Sequence, residues 1–313
     1  MVYKEIALPE PADDEMRIKV QACSVNFPDT LIIQGLYQFK PKPPFSPGSD
    51  IAGVVDAVGA KVKGFKAGDE VVALAPYGGF AEYAVTKAAT CFPKPPGMNM
   101  TNAAAFLMAY GTSYHALKDR ARIKEGETLV VLGASGGVGL TAVELGKKMG
   151  ARVIAAASTA EKLAICRKYG ADEVINYQED NLKDRIKALT DGKGADVIYD
   201  PVGGNYSEQA LRATGWGGRY LVVGFAAGEI PKIPLNLTLL KGCQVVGVFW
   251  GAFAQKTPGK NMQNTMELIQ WFMKGEIRPY IDATYSLEDA PKALDAMQQR
   301  KVKGKVVVVM EEA

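Results

Sequence analysis

The stretch TLVVLGASGGVGLTAVELGKK, residues 128–148, decides how this chain folds. It opens with a short apolar, β-branched run, places glycines at 133, 136, 137 and 139, and continues with apolar residues at helical spacing. That order reads strand, tight turn, helix. Glycines in the turn let a backbone approach a pyrophosphate closely, and the following helix offers its positive end. The spacing is GxxGxxG, so the general dinucleotide pattern GxGxxG is only partly matched, but the strand-turn-helix context is the required one.

Downstream, apolar runs recur as ARVIAAAS (151–158), DEVINY (172–177), DVIYD (196–200), RYLVVG (219–224) and CQVVGVFW (243–250). Amphipathic segments such as GLTAVELGKKMG and AEKLAICRKYGAD separate the first of them. This alternation predicts a parallel sheet covered on both faces. A site that holds the ribose 2′-hydroxyl of NAD carries an Asp or Glu after the second strand, and here the strand ends Ala155-Ala156-Ala157-Ser158-Thr159. Ser158, Lys162 and Tyr177 instead suit a 2′-phosphate, so NADPH is expected over NADH.

Upstream, from Arg17 to about Val85, short strands alternate with Gly and Pro turns: RIKVQACSV, PFSPGSD, IAGVVDAVG, KAGDEVVAL and GGFAEYAV. Their spacing favours a compact barrel-like unit. A Pro-rich stretch, FPKPPGMN at 92–99, reads as the link or hinge to the next domain. The tail reads helix, helix and strand, and its last strand, KGKVVVVM, is expected to return to the first domain. Residues 1–104 and 258–313 would then form one domain, with 105–257 inserted as the nucleotide domain. No internal repeat is found.

Composition narrows the function. The 313 residues carry 37 Lys and Arg against 34 Asp and Glu, with no long single-sign block, so no nucleic-acid footprint is expected. No segment has the length of a membrane span, and the N-terminus MVYKEIALPEPADDEM lacks the apolar run of a signal peptide. Four scattered cysteines, Cys23, Cys91, Cys166 and Cys243, read as reduced thiols of a cytoplasmic protein. One histidine, His115, with cysteines so placed cannot supply a zinc site from sequence neighbours, and His115 reads as a packing or polar surface residue.

With these residues in view, the chain resembles the zinc-independent quinone oxidoreductase, or zeta-crystallin-like, branch of the medium-chain dehydrogenase/reductase superfamily. The likeness rests on Val25-Asn26-Phe-Pro-Asp29, Gln34-Gly-Leu-Tyr37, Pro47-Gly-Ser49-Asp50-Ile-Ala-Gly53, Lys66-Ala-Gly68-Asp69, Gly79-Phe80-Ala-Glu82-Tyr83, the 133–139 turn, Tyr199-Asp200-Pro-Val-Gly203-Gly204 and Gly304-Lys305. It implies an α/β protein with a GroES-like β-barrel catalytic domain and an inserted Rossmann domain, a doubly wound parallel sheet. It implies that Ser135, Gly136, Gly137, Val138, Gly139, Ser158, Lys162 and Tyr177 hold the adenosine side of NADPH. Asn26, Thr112, Gly224, Phe225, Phe249 and Trp250 would lie around the nicotinamide, with Arg300 a further nucleotide contact. Zinc-dependent relatives align their catalytic ligands on Asn26, on Ser49 and Asp50, and near Met108, so no metal is expected. Family members usually begin with an extra strand pair before VYKEIALPEP, which suggests a shortened barrel edge or an altered start here.

Without a Lewis-acid metal, substrates activated by conjugation are favoured, namely quinones and enones. An apolar pocket lined by Tyr37, Tyr110 and Trp250 is expected, with Asn26 orienting the nicotinamide or bonding the substrate oxygen and Tyr37, or water, giving the proton. Each aromatic has ordinary core packing as its alternative. Competing functions are an enoyl or acrylyl thioester reductase, with Lys40, Lys42 and Lys256 as its basic residues, and a non-catalytic NADPH-binding sensor or structural protein. The apolar strand at 243–250 would lie at the edge of the sheet, and such an edge is normally paired, which points to a homodimer.

Overall fold

Strand β1 (Glu15–Val25) organises the first part of the chain. Met16, Ile18 and Val20 alternate into the core, and from Ala22 onward every residue of the strand is buried. Helix α1 (Phe27–Ile32) follows at once, with Asn26 as its N-cap and Pro28 in its first turn. Strands β2 (Asp50–Val58), β3 (Glu70–Leu74), β4 (Tyr83–Lys87) and β5 (Cys91–Pro93) come next, then helix α2 (Met100–Ala104). The segment PFSPGSD, expected as a strand, pairs only from Asp50 onward. Pro44 and Pro47 have no N–H to give a ladder.

Helix α3 (Leu107–Tyr114) leads into the second part, in which strands and helices alternate. The elements are β6 (Thr128–Leu132), α4 (Gly137–Lys148), β7 (Arg152–Ala157), α5 (Ala160–Lys168), β8 (Glu173–Asn176), α6 (Leu182–Leu189), β9 (Ala195–Asp200), α7 (Asn205–Arg212), β10 (Thr214–Val222), α8 (Asn236–Lys241), β11 (Gln244–Gly247), α9 (Trp250–Lys256) and α10 (Pro258–Met273). The strands lie in the order β11-β10-β9-β6-β7-β8, all pairs parallel. Strand order reverses between β6 and β9, the point at which a doubly wound sheet opens a crevice for ligands. The run 243–250 is strand only over Gln244–Gly247, because Phe249 and Trp250 turn into α9.

The chain then returns with β12 (Ile281–Tyr285), α11 (Ala290–Gln298) and β13 (Lys305–Val309). Strand β13 pairs antiparallel with β1, Val306 opposite Val25, and parallel with β12. The first sheet is therefore β12-β13-β1-β2-β3-β5 with β4 also on β1, and the nucleotide-type unit is an insertion in it.

The computed structural model describes residues 1–310. It divides into a unit of Met1–Met108 with the chain from Arg278 onward, and a unit of Ala109–Ile277. The divisions fall later than the expected 104/105 and 257/258. Two packing facts account for this. The Pro-rich stretch begins in β5, which pairs with β3, while α2 packs on β1 and β2. Helix α10 belongs to the second unit, where Asn261 accepts from Trp250 Nε1 at 3.0 Å, Asn264 donates to Asp119 at 2.9 Å, and Trp271 packs edge-on to Tyr114. Among the described residues no helix is long and apolar enough to cross a membrane.

Candidate active site

In the second unit, the residues singled out around 133–139 form the turn between β6 and α4. Gly133 adopts φ +55°, and Gly136 N–H closes the turn on the Gly133 carbonyl at 3.0 Å. Gly139 packs the helix down on that turn: a Cβ there would lie 2.2 Å from the Gly133 carbonyl oxygen. Ser135 is buried, while Gly136, Gly137 and Val138 are partly open at the helix start. The free N–H groups of the first turn of α4 make this end a cradle for an anion.

Strands β7 and β8 end side by side, Ala157 opposite Asn176, so the next residues of each, Ser158 and Tyr177, are brought together. Thr159 caps α5, and Lys162 reaches back from its first turn, its Nζ 3.4 Å from Ser158 Oγ. Tyr177 packs against Tyr206 at 4.5 Å. Lys162 and Ser158 thus meet at the end of β7, where an NAD-type site carries an acid, and Tyr177 follows the end of the paired strand.

The loops after β9 and β10 lie alongside each other, Ala226 and Ala227 N–H donating to the carbonyls of Pro201 and Val202. Gly224 and Phe225 belong to the second loop, and Phe225 lies against Gly203. Asp200 anchors the first loop. Its Oδ1 accepts from Val202 and Gly203 N–H at 2.7 and 2.9 Å, and its Oδ2 from Ser207 and Tyr220 hydroxyls.

Other singled-out residues of this unit have different settings. Thr112 is half-buried and Phe249 exposed, whereas Trp250 is buried with its ring against Gly111. Tyr110 is a core residue, 1% exposed, and its hydroxyl donates to Glu144 at 2.6 Å. Burial and that bond fit the packing alternative better than a pocket lining. His115 is also internal, its Nδ1 2.9 Å from Asp119 and its ring stacked on Phe253. Burial lowers its pKa.

The first unit holds the most charged buried cluster. Asn26 backbone N–H donates to Asp29 Oδ2 at 2.7 Å, and Asp29 Oδ1 accepts from Gly48 N–H and Ser49 Oγ. Asp50 Oδ2 accepts from Ser24 Oγ and from Met108 N–H, both at 3.3 Å, while its Oδ1 has no partner among the described residues. Lys305, the first residue of β13 and 4% exposed, donates from Nζ to the Val25 carbonyl at 3.2 Å and to Asn26 Oδ1. Burial pushes Asp29 up to about 6 and Asp50 up to about 7, both opposed by the Lys305 charge. Burial lowers Lys305 in turn.

Tyr37 lies half-buried in the segment after α1, and burial, then the Asp29 charge, raises its phenol. Arg300 follows α11 in this same unit, exposed and with φ +56°. Lys305 and Asp29 carry no role in the sequence reading. The N-cap spacing Asn26-x-x-Asp29 is a legible signal for the aspartate, and the lysine is legible only as part of the closing Gly304-Lys305 motif, with no role attached.

These features define a two-unit dehydrogenase framework. Residues 12–96 match the model of the alcohol dehydrogenase GroES-like domain, and residues 137–271 match that of the zinc-binding dehydrogenase family. The chain is 40% identical over 297 residues to a quinone oxidoreductase-like protein 2 homolog from Nematostella vectensis, covering 94% of this chain and 81% of that protein. A crystal structure of Escherichia coli quinone oxidoreductase complexed with NADPH superposes with a TM-score of 0.91 at 30% identity, covering 98% of this chain and 94% of that one. A crystal structure of CurK enoyl reductase superposes with a TM-score of 0.89 at 26% identity, covering 98% and 94%. The chain belongs to the quinone oxidoreductase family of the medium-chain dehydrogenases/reductases.

Proposed function

We propose that this protein is a zinc-independent, NADPH-dependent reductase of quinones and other conjugated carbonyls. The observation that carries the cofactor is Lys162 Nζ at Ser158 Oγ, 3.4 Å apart at the end of β7, with Tyr177 after the paired strand β8 and a glycine turn after β6 fit for a pyrophosphate. A 2′-phosphate there would meet an ammonium and a hydroxyl. NADPH bound by these residues supplies the hydride.

The donor chemistry supports zinc independence. Zinc needs three or four N, S or O donors with free lone pairs. At the positions aligned with zinc ligands stand Asn26, whose amide oxygen accepts a hydrogen bond from Lys305, Ser49, whose hydroxyl donates to Asp29, and the lone carboxylate Asp50, so the three or four ligands zinc needs are not assembled. Lys305 Nζ also sits on Asn26 Oδ1 and the Val25 carbonyl, so those oxygens already accept from the lysine.

In the reaction two electrons and one hydrogen pass as hydride to the quinone, or to the β-carbon of the enone, and one proton completes the product. Asn26 meets the nicotinamide or the substrate oxygen. Tyr37, held neutral by burial and the Asp29 charge, or water, gives the proton. The likeness to an enoyl reductase supports a second reading, reduction of an enoyl thioester, for which Lys40, Lys42 and Lys256 are exposed basic residues. Four free, buried cysteines support a cytoplasmic location. The exposed Trp216, Leu239, Leu240 and Val245, near the edge strand β11, support a homodimer.

The test is NADPH oxidation over a panel of 1,4-benzoquinone, enones and enoyl thioesters, run beside NADH. Preference for NADH would overturn the cofactor, and turnover of thioesters alone would favour the second reading. Tight NADPH binding with no oxidation by any member would mark a non-catalytic binding protein.

A further inference from the structure

We infer that Tyr206 is a positioning residue for the cofactor: from the first turn of α7 it braces the Tyr177 ring, so that the adenine of the nucleotide meets an aromatic surface already in place. This rests on the reading above in one respect, that Tyr177 lies on the adenosine side of the bound cofactor.

Tyr177 needs a brace because of where it stands. It is the first residue after β8, in a turn, and its N–H ties it to the Ala157 carbonyl at 3.2 Å. The ring hangs from that tie on single bonds, and a side chain so mounted loses rotamer freedom when a ligand packs on it. Tyr177 is half-buried, so part of its surface is covered by the protein and part is open. Tyr206 supplies cover, its ring centre 4.5 Å from that of Tyr177 and its plane inclined by 42°.

Tyr206 is itself held firmly. Its neighbour Ser207, 1% exposed, donates to Asp200 Oδ2 at 2.9 Å, which ties the first turn of α7 to the end of β9. Gly203 and Gly204, at φ +72° and +60°, let the chain double back into that helix. Gln178, the residue after Tyr177, donates from Nε2 to the Tyr206 hydroxyl at 2.9 Å. Both rings pack against the apolar core of the parallel sheet. A helix clamped to β9 thereby carries the ring that orders a side chain in the turn after β8, next to the strand that ends in Ser158. Adenine stacks on aromatic rings, and a ring ordered before binding need not be ordered by it; the difference appears as affinity.

The test measures binding by calorimetry on the whole protein, with 2′,5′-ADP as the adenosine half of NADPH. Tyr206→Ala should weaken 2′,5′-ADP roughly 3- to 10-fold, the effect of leaving one aromatic side chain to be ordered at binding. Tyr206→Phe keeps the ring and should stay within about twofold of the parent. In a Tyr177→Ala background, Tyr206→Ala should change the affinity by less than about twofold, because the brace then has nothing to hold. Kinetics should split in the same sense, with KM for NADPH raised in Tyr206→Ala and kcat for 1,4-benzoquinone at saturating NADPH unchanged. Should Tyr206→Ala fail to fold on thermal melting, Tyr206→Leu, which fills the space without a ring, carries the same expectations. Parental affinity for 2′,5′-ADP without the Tyr206 ring, or losses that multiply with Tyr177→Ala, would overturn the inference while leaving the cofactor reading intact. A parent that binds neither 2′,5′-ADP nor 5′-ADP sinks the cofactor reading, and the inference with it. A parent that prefers 5′-ADP overturns the NADPH assignment alone, and the same variants compared with 5′-ADP then decide the role of Tyr206.

Discussion

Lys162 Nζ lies 3.4 Å from Ser158 Oγ, the lysine reaching back from the first turn of α5 to the residue that follows β7. If NADPH is held here, this half-buried pair gives its site a preference for negative charge. Lys162→Ala should raise KM for NADPH roughly 10- to 100-fold, the loss of one charge-assisted contact. KM for NADH should change by less than about twofold, because the ribose hydroxyl carries no charge. Ser158→Asp should reverse the preference toward NADH. Initial-rate kinetics with both cofactors checks both.

Gly139→Ala is expected to damage the nucleotide unit directly. Its Cβ would meet the Gly133 carbonyl oxygen at 2.2 Å and Ala134 Cα at 2.9 Å, and both are backbone. Forcing α4 away from the turn should cost about 1–3 kcal/mol. A lower urea midpoint together with weaker NADPH binding is the expected result.

Tyr37→Phe removes a phenol while keeping its ring. If Tyr37 gives the proton, kcat for an enone should fall about 100-fold with the Kd for NADPH unchanged. Parental turnover in the variant would assign the proton to water.

Asp29 and Asp50, pushed up to about 6 and 7, hold protons more tightly in the folded chain than in the unfolded one. Their contribution to stability is therefore full below about pH 4 and is lost as pH rises through 6 and 7. Asp50→Asn abolishes one such titration. The melting temperature of Asp50→Asn minus that of the parent should thus increase by about 2–4 °C or more between pH 5 and pH 8. A difference that stays flat over this range would show that Asp50 is not titrating there.

Leu239 and Leu240 are 80% and 67% exposed on α8. If this surface is covered in a homodimer, Leu239→Lys/Leu240→Lys should sediment as a monomer of 33.6 kDa, while the parent sediments at twice that mass. A parent that sediments as a monomer would reject the dimer.

The linear sequence, through local periodicity and turn chemistry, determined the alternation of strands and helices after Thr128 and the glycine turn. It also placed Ser158 and Tyr177 at the ends of two strands, and parallel pairing of β7 with β8 then brought them together. Three matters were left to the tertiary structure. The ends of the units moved to 108/109 and 277/278, since α10 is held by Trp250, Asp119 and Tyr114, contacts remote in sequence. Tyr110 went into the core on Glu144, a partner 34 residues away. Lys305 met Asn26 across 279 residues because β13 pairs with β1, and long-range strand pairing leaves no trace in local composition. Chemistry carried by neighbours in the chain can be read from their spacing; a buried charge is explained only by the partners that folding brings to it.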